Sequence, residues 1–486
     1  MWFFFRIFAK ILIMTIDIFK NICQHLSSLI KDSKFETHTY CVGGCVRDML
    51  LNHSIKDIDL VVSLPNGGIE LANFLYNNGH LVYEPVIYPT YGTAMFKLKA
   101  FPDNDIEVVQ TRKEQYKNKN SRNPETCFGT IKEDALRRDL TINSLYFDIQ
   151  TEKVLDLTEN GLNDLKNSVI RTPCEPNITF IDDPLRICRV IRFAARYKWK
   201  INDDTWQAML NNIDRLSIIS IERIREEFNQ ILCCNHNTYG IEMLMQCGAM
   251  KYIIPELFDT VELTQNKYHF GTVFEHTIKA LNVNCIDRHQ YLPIVLALLL
   301  HDIGKIYCKT KDDKGNVHFY KHEIISVQIS KDILKRLKYS NALIEEVCFY
   351  IENHMCTKQW GDNCEKMKPK SLYKLQYKCK TKERFENLLY VIDADNKSHH
   401  PDFCLYKQVR NIKLISHITE IGGYAMFNYK MPINGNDIKQ IFFIEEGKMI
   451  KKCLDICLKF CFSNPLITKE QIIKQLKGFI KTINTF

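Results

Sequence analysis

Residues 41–62, CVGGCVRDMLLNHSIKDIDLVV, constrain this chain more than any other stretch. Residues 38–42 read as a strand, Gly43-Gly44 as a turn, 46–51 as a short helix and Ile58–Val62 as an apolar strand. Alternate side chains of a strand point the same way, so Asp57 and Asp59 project together from one face. Two carboxylates held that way suit a pair of Mg²⁺ ions, and glycines just upstream let backbone N–H groups approach a triphosphate with no Cβ in the way. The implied chemistry is in-line attack of a hydroxyl on an α-phosphate, one cation activating the nucleophile and the other neutralising the leaving pyrophosphate. Glu107, in the strand IEVV, is either a third carboxylate for that site or an exposed strand residue.

A chain of 486 residues, 45% apolar and 25% charged, is long enough for two to four domains with ordinary globular cores. Its net charge of +8 is modest, but basic residues cluster at 112–122 and 366–382 with tyrosines between them. Such clusters suit a polyanion, or serve as solvated surface. Nineteen cysteines without CxxC pairs read as thiols of a reducing compartment, hence the cytoplasm. Cys453, Cys457 and Cys461 fall on one helical stripe and read as a buried apolar face. The opening MWFFFRIFAKILIMTIDIF is interrupted by Arg6, Lys10 and Asp17 and is followed by no small-residue cleavage site. Met14 is an alternative start, and a basic amphipathic extension over residues 1–13 leaves organelle targeting open. No stretch reaches the roughly 20 apolar residues of a spanning helix, so no membrane partner is expected.

Along the chain, a helix near 16–31 precedes the opening motif. A helix at 68–78 and strands near 81–86, 92–99, 105–110 and 144–149 follow it, with 113–131 polar and read as a mobile loop. From about residue 180 the pattern is nearly all helical, with apolar spacing of three to four over 184–197, 204–213, 221–232 and 238–248. Arg137 and Arg138, in EDALRRDLTINSLYFD, are costly to bury unpaired and so face solvent or meet an anion. Asp139 and Asn143 are four apart, as on one helical face that points at a ribose. In DDPLRICRVIRFAAR, Asp183, Arg186 and Arg189 recur at i, i+3, i+6 on one side of a helix that starts at Asp182-Asp183. An aspartate acceptor and an arginine donor there either meet the edge of a base or form a salt-bridged helix face.

Together these segments resemble the class II tRNA nucleotidyltransferases, the CCA-adding enzymes and their relatives the bacterial poly(A) polymerases. The family's GGxVRD appears as Gly43-Gly44-Cys45-Val46-Arg47-Asp48, DxD as Asp57-Ile58-Asp59, and RRDxxxN as Arg137 to Asn143. DxxxxGxxDL runs from Asp156 through Gly161 to Asp164-Leu165, and EDxxRxxR matches with Asp182 where glutamate is usual. The resemblance implies a nucleotide site of Gly43, Gly44, Arg47, Arg137, Arg138, Asp139, Asn143, Asp183, Arg186 and Arg189, with Asp57, Asp59 and Glu107 catalytic. Asp183 and Arg186 would pair with incoming CTP or ATP, and the 113–131 loop would take part in switching from C to A. The partners implied are tRNA, CTP and ATP, with Mg²⁺ as cofactor. The region VYEPVIYPTYGTAMFKL lacks the basic segment of the poly(A) branch, which favours CCA addition; poly(A) synthesis and CC-only or A-only addition are the alternatives.

Histidines mark a second constellation: His276 in a helix, His301-Asp302 after IVLALLL, His322, His354, and Asp395 in VIDADNKSH. Imidazoles with carboxylates form a first-row metal set. The order resembles the HD phosphohydrolase superfamily, which implies His276, His301, Asp302 and Asp395 on one divalent transition metal. His322 and His354 would hold a second metal or the substrate phosphate. Asp393 competes with Asp395. The HD resemblance also implies phosphatase or 2′,3′-cyclic phosphodiesterase activity. A third reading is an HD hydrolase whose N-terminal half only binds RNA or NTP; intact Asp57 and Asp59 argue against it.

The expected fold is α+β. A leading helix (1–30) precedes a nucleotidyltransferase palm of mixed sheet and helices (31–150). A helical neck for templating and RNA binding (151–260), an all-α HD domain (261–400) and a helical tail (401–486) complete it.

Overall fold

The computed structural model describes residues 14–89, 92–115, 125–266, 268–269, 271–283, 291–356, 369–400, 402, 426–443 and 447–483. Two compact units divide the chain, Met1–Ile253 and Ile254–Phe486. The architecture is α+β, with one large sheet near the N-terminus and helices thereafter. No helix among the described residues is long and apolar enough to cross a membrane. Residues 1–13, on which the extension and targeting readings fall, lie outside the described residues.

In the first unit, α1 (Ile16–Ile30) begins at Thr15, whose hydroxyl accepts the Ile18 N–H. Then come β1 (Thr39–Val42), α2 (Gly44–Leu50), β2 (Ile58–Val62), α3 (Gly67–Asn77), β3 (Val86–Tyr88), β4 (Thr93–Phe96) and β5 (Ile106–Gln110). A separate hairpin, β6 (Arg112–Gln115) with β7 (Glu125–Phe128), leads to α4 (Ile131–Leu136), and β8 (Leu145–Asp148) and β9 (Val154–Asp156) return to the sheet. The sheet order is β3-β4-β5-β2-β1-β8-β9. The β2–β5 pair is parallel and sets Asp59 opposite Glu107. Phe19, Ile22, Leu26, Ile58, Leu60, Val62, Leu71 and Phe147 build one core beneath this sheet. Beyond it run α5 (Gly161–Asn167), β10 (Val169–Ile170), α6 (Pro176–Asp182), α7 (Leu185–Tyr197), β11 (Lys200–Ile201), α8 (Asp203–Asn212), α9 (Ile221–Leu232) and α10 (Asn237–Gln246).

Four local expectations are corrected. The 81–86 strand is instead β3 at Val86–Tyr88, framed by Pro85 and Pro89, which cannot donate to a ladder. Leu81 makes only a bridge to Leu98. The 113–131 stretch is not all loop: β6 and β7 pair through a backbone ladder without apolar alternation, and Thr130 caps α4 in a capping box with Glu133. Its residues 116–124 lie outside the described residues. Asp182 ends α6 rather than starting α7, because Pro184 holds Asp183 extended (φ −137°, ψ 97°). Asp139 and Asn143 share a tight turn rather than a helical face; Asn143 closes a 3₁₀ turn, Thr141–Asn143.

The second unit opens with α11 (Val273–Leu281), capped by a Thr272–Glu275 box, and α12 (Leu292–Leu300), with Pro293 in its first turn. A hairpin of β12 (Lys309–Lys311) and β13 (Val317–Phe319) precedes α13 (His322–Arg336) and α14 (Asn341–Asn353). Then follow α15 (Pro369–Cys379) and α16 (Lys382–Lys397). The chain closes with α17 (Gly435–Phe442), α18 (Lys448–Ser463) and α19 (Lys469–Ile483). Cys453, Cys457 and Cys461 are buried in the core of these last three helices, with Ile438, Ile472 and Leu476.

Candidate functional site

At the N-terminal site, Asp57 is exposed just before β2 and Asp59 is half-buried one strand position in. Burial, then the Glu107 carboxylate, pushes the Asp59 carboxyl up to about 6, with Arg138 and Arg47 opposing. Gly43 lies alongside. A Cβ there would stand 3.8 Å from Asp59 Oδ2 and 3.4 Å from Arg138 Nη1, and its φ of +79° is one that L side chains rarely adopt. Carboxylates from two adjacent strands therefore stand side by side, with the open backbone of Gly43 against Asp59. Hard oxygen donors in that array fit a divalent cation such as Mg²⁺.

One polar chain ties that point to α7. Arg47, buried, donates Nε to Asp48 (2.9 Å) and Nη1 to Asn143 Oδ1, and lies over the rings of Phe193 and Tyr197 (5.2 and 5.7 Å). Asn143 donates to Asp139 (3.1 Å), and Asp139 accepts from Arg189 Nε (2.9 Å). Burial pushes the Asp139 carboxyl up, but Arg189 and Asn143 outweigh it and hold it well below the usual range. Arg186 donates to the Arg137 carbonyl (2.7 Å) and lies 3.5 Å from Glu114. Asp183 pairs with Arg223 (3.2 Å).

The anion that Arg137 and Arg138 meet is Asp134, which sequence reasoning missed although it stands three and four residues before them. Its buried carboxylate accepts from Arg137 Nη2 (2.7 Å), Arg138 Nη2 (3.0 Å), the Arg112 N–H (3.1 Å) and the Tyr146 hydroxyl. Glu114, on the hairpin arm, holds Arg137 (3.1 Å) and Arg112 (3.4 Å); no local pattern marks it. Asp164, from the DxxxxGxxDL segment, accepts from Thr141 (2.8 Å) and Arg171, and so braces the turn carrying Asn143.

The second unit gathers its histidines around Asp302. Oδ2 of Asp302 is 3.3 Å from Nε2 of both His276 and His301, while Oδ1 is 3.1 Å from His322 Nε2. Asp395 Oδ1 lies 3.1 Å from His276 and 3.6 Å from His301, whereas Asp393 pairs with Lys397. His354 Nε2 is 3.3 Å from His322 Nε2, and His276 and His301 face each other at the same separation. All six side chains are buried.

Helix ends place them: His301 and His354 cap α12 and α14, and His322 opens α13. Nδ1 of His301, His322 and His354 is bonded to the carbonyls of Leu298, Phe319 and Ile351, and Nδ1 of His276 to Ser398 Oγ. Each ring thus turns Nε2 inward, where its neutral form offers a lone pair. Two lone pairs 3.3 Å apart repel unless one nitrogen carries a proton or a cation lies between them, so this donor set fits divalent metal. Burial pushes His301 down, but Asp302 and Asp395 overcome it and hold the ring up to about 10; burial and His301 push His354 down to about 3. His269 and His399 form a further group with His276 that sequence reasoning missed. Their only signal was two more histidines flanking the motif.

Comparison with known proteins is consistent across the chain. The Poly A polymerase head domain family matches residues 39–171, "Probable RNA and SrmB- binding site of polymerase A" matches 199–260, and the HD domain matches 274–396. The Schizosaccharomyces pombe tRNA nucleotidyltransferase cca1 is 30% identical over 94% of each chain. A "Multifunctional CCA protein" of Neisseria meningitidis serogroup B is 30% identical over 75% of this chain and 84% of its own. The crystal structure of the Bacillus stearothermophilus CCA-adding enzyme in complex with CTP shares the fold, with a TM-score of 0.68 at 19% identity over 95% of this chain and 98% of that one. Full-length similarity to the fission-yeast enzyme makes this chain a member of the tRNA nucleotidyltransferase family.

Proposed function

We propose that the chain adds C, C and A from CTP and ATP to the 3′ end of tRNA, without a nucleic-acid template, and that its HD unit hydrolyses phosphoesters at damaged RNA ends. The observation that carries the first activity is Asp59 set beside Glu107 on the adjacent strand and against Gly43 and Arg138, joined by Arg47, Asn143, Asp139 and Arg189 to α7.

In this reading Asp57, Asp59 and Glu107 would hold Mg²⁺, which would supply activation of the 3′ hydroxyl and charge neutralisation of the departing pyrophosphate. Gly43 and Gly44 leave room for the triphosphate, and Arg138, anchored by Asp134, presents a guanidinium beside it. Asp183 and Arg186 select the base by donor and acceptor pattern. The Arg186 contacts to Glu114 and to the Arg137 carbonyl couple that selection to the β6–β7 arms. In the second unit His276, His301, Asp302 and Asp395 would hold one divalent metal, with His322 and His354 on the other side of the same Asp302 carboxylate. The compartment in this reading is the cytoplasm, with organelle targeting by residues 1–13 the alternative.

The test is incubation with tRNA lacking its 3′ CCA, Mg²⁺, and each NTP singly and together. Addition that requires CTP first and stops after three nucleotides is expected; a long A tract from ATP alone sinks the reading in favour of poly(A) synthesis.

A further inference from the structure

The inner donor set of the second unit is closed to solvent: His276 and His301 are 0% exposed, Asp302 and Asp395 2%. An ion from solution therefore needs a way in. A cavity of about 340 Å³ opens beside the cluster, and its wall includes His269, His399 and His322 but none of those four ligands. His322 reaches the wall from the other side of the Asp302 carboxylate. Most of the remaining wall is apolar, so the imidazole nitrogens are where a cation can stop.

His269 and His399 lie outside the segment that matches the HD domain, residues 274–396. With His276 they form a trio in which each ring offers a nitrogen within 4.8 Å of the other two, close enough for one ion to bridge all three after small ring rotations. The His276 ring stands nearly perpendicular to its two neighbours, with centroids 4.7 Å from His269 and 5.3 Å from His399. Nδ1 of His269 is buried and makes no hydrogen bond among the described residues, a vacancy that calls for a water or an ion. Nδ1 of His399 is bonded to the Asp395 carbonyl (2.7 Å), the arrangement that also orients His301, His322 and His354.

His276 belongs to both groups, since it also stands 3.1 Å from Asp395 and 3.3 Å from Asp302. The groups differ in charge. The inner one contains two carboxylates, whereas the trio contains three imidazoles and shares the cavity wall with the Lys305 ammonium. A divalent ion is therefore held more tightly inside than at the trio. We infer that His269, His276 and His399 form an entry site for the metal, which moves inward by exchanging His269 and His399 for His301, Asp302 and Asp395 while His276 stays bound. The step is ligand exchange, with no change of oxidation state. Nitrogen donors at the threshold favour late first-row ions such as Ni²⁺ over Mg²⁺. The inference rests on the reading of His276, His301, Asp302 and Asp395 as a metal set and on no substrate.

The experiment uses the full chain loaded with Ni²⁺. Release into an excess of chromogenic chelator is timed, affinity is measured by competition, and nickel per chain by elemental analysis. A residue that only passes an ion through alters uptake and release equally and leaves affinity alone; a permanent ligand does not. His269→Ala is expected to slow release about tenfold, a barrier rise of about 1.4 kcal/mol, with nickel content and affinity unchanged. His399→Asn should act in the same direction and serves if His269→Ala does not fold. Unchanged release in both variants overturns the inference, as does a fall in nickel content or affinity, which makes these histidines permanent ligands. Equal nickel binding by the parent and Asp302→Ala removes the inner set, and with it the metal-dependent hydrolase reading. Nickel that depends on Asp302 but leaves at the parent rate from His269→Ala removes the entry site alone.

Discussion

Asp134 shows how far the first site depends on a residue that touches no substrate. Burial alone pushes its carboxyl up, but Arg138, Arg137 and the Tyr146 hydroxyl outweigh that and hold it down to about 2. Removing the anion leaves two largely buried guanidinium groups without it, so Asp134→Asn is expected to destabilise the chain by about 3 kcal/mol in urea unfolding at pH 7. The sign of the pH dependence follows from the lowered value. A carboxyl that titrates near 4 when unfolded contributes about 2 kcal/mol that is complete above about pH 5 and is lost as pH falls through about 2. The gap between parent and Asp134→Asn should therefore narrow from pH 5 toward pH 2; a loss under about 1 kcal/mol, or a gap flat with pH, contradicts the anchoring role. At this scale the i, i+2 aspartates were legible because their geometry is local, and the spaced histidines, although as far as 119 residues from a partner carboxylate, because their order resembles a known family. Glu114, His269 and His399 were not, because no local pattern or motif position marks them.

Among elements, close approach of backbones decides what fits. Helix α3 buries Leu71, Ala72 and Leu75 on the sheet, and at Gly68 it comes down on β5 itself. A Cβ there would lie 2.9 Å from the Val108 carbonyl oxygen and from the Val109 Cα. Neither atom can swing aside. Gly68→Ala is expected to destabilise by about 1–3 kcal/mol, although alanine is the better helix former, and to lower nucleotide addition by shifting the strand that carries Glu107. Gly478, in α19, has open space at its Cβ, so Gly478→Ala is the control and should gain up to about 1 kcal/mol. Equal effects from the two substitutions, read as urea midpoints, would contradict this account. Element type was legible where apolar periodicity is strong, as in α1, β2, α7 and α9. It failed at the β6–β7 arms, whose ladder needs no apolar pattern, and at Asp182-Asp183, where proline splits what reads as one helix.

For the whole molecule, the two donor sets belong to different units and share no described side chain. The first offers carboxylate oxygens from β2, the residues before it and β5; the second offers imidazoles from α11 and the ends of α12, α13 and α14 together with carboxylates. Each set is closed by its own polar contacts, the Arg47–Asn143–Asp139–Arg189 chain in one and the Nδ1 bonds to carbonyls in the other. Separate sites require separate failures. Asp59→Ala is expected to bring nucleotide addition to background while hydrolysis of 2′,3′-cyclic AMP stays within about twofold of the parent, the two sites being independent. Asp302→Ala, which removes the carboxylate shared by His276, His301 and His322, should do the reverse and lower bound transition metal as read by elemental analysis. Circular dichroism unchanged from the parent establishes that each variant is folded. Loss of both activities in either folded variant would show that the units act as one catalyst, and retention of metal by Asp302→Ala would remove that aspartate from the ligand set.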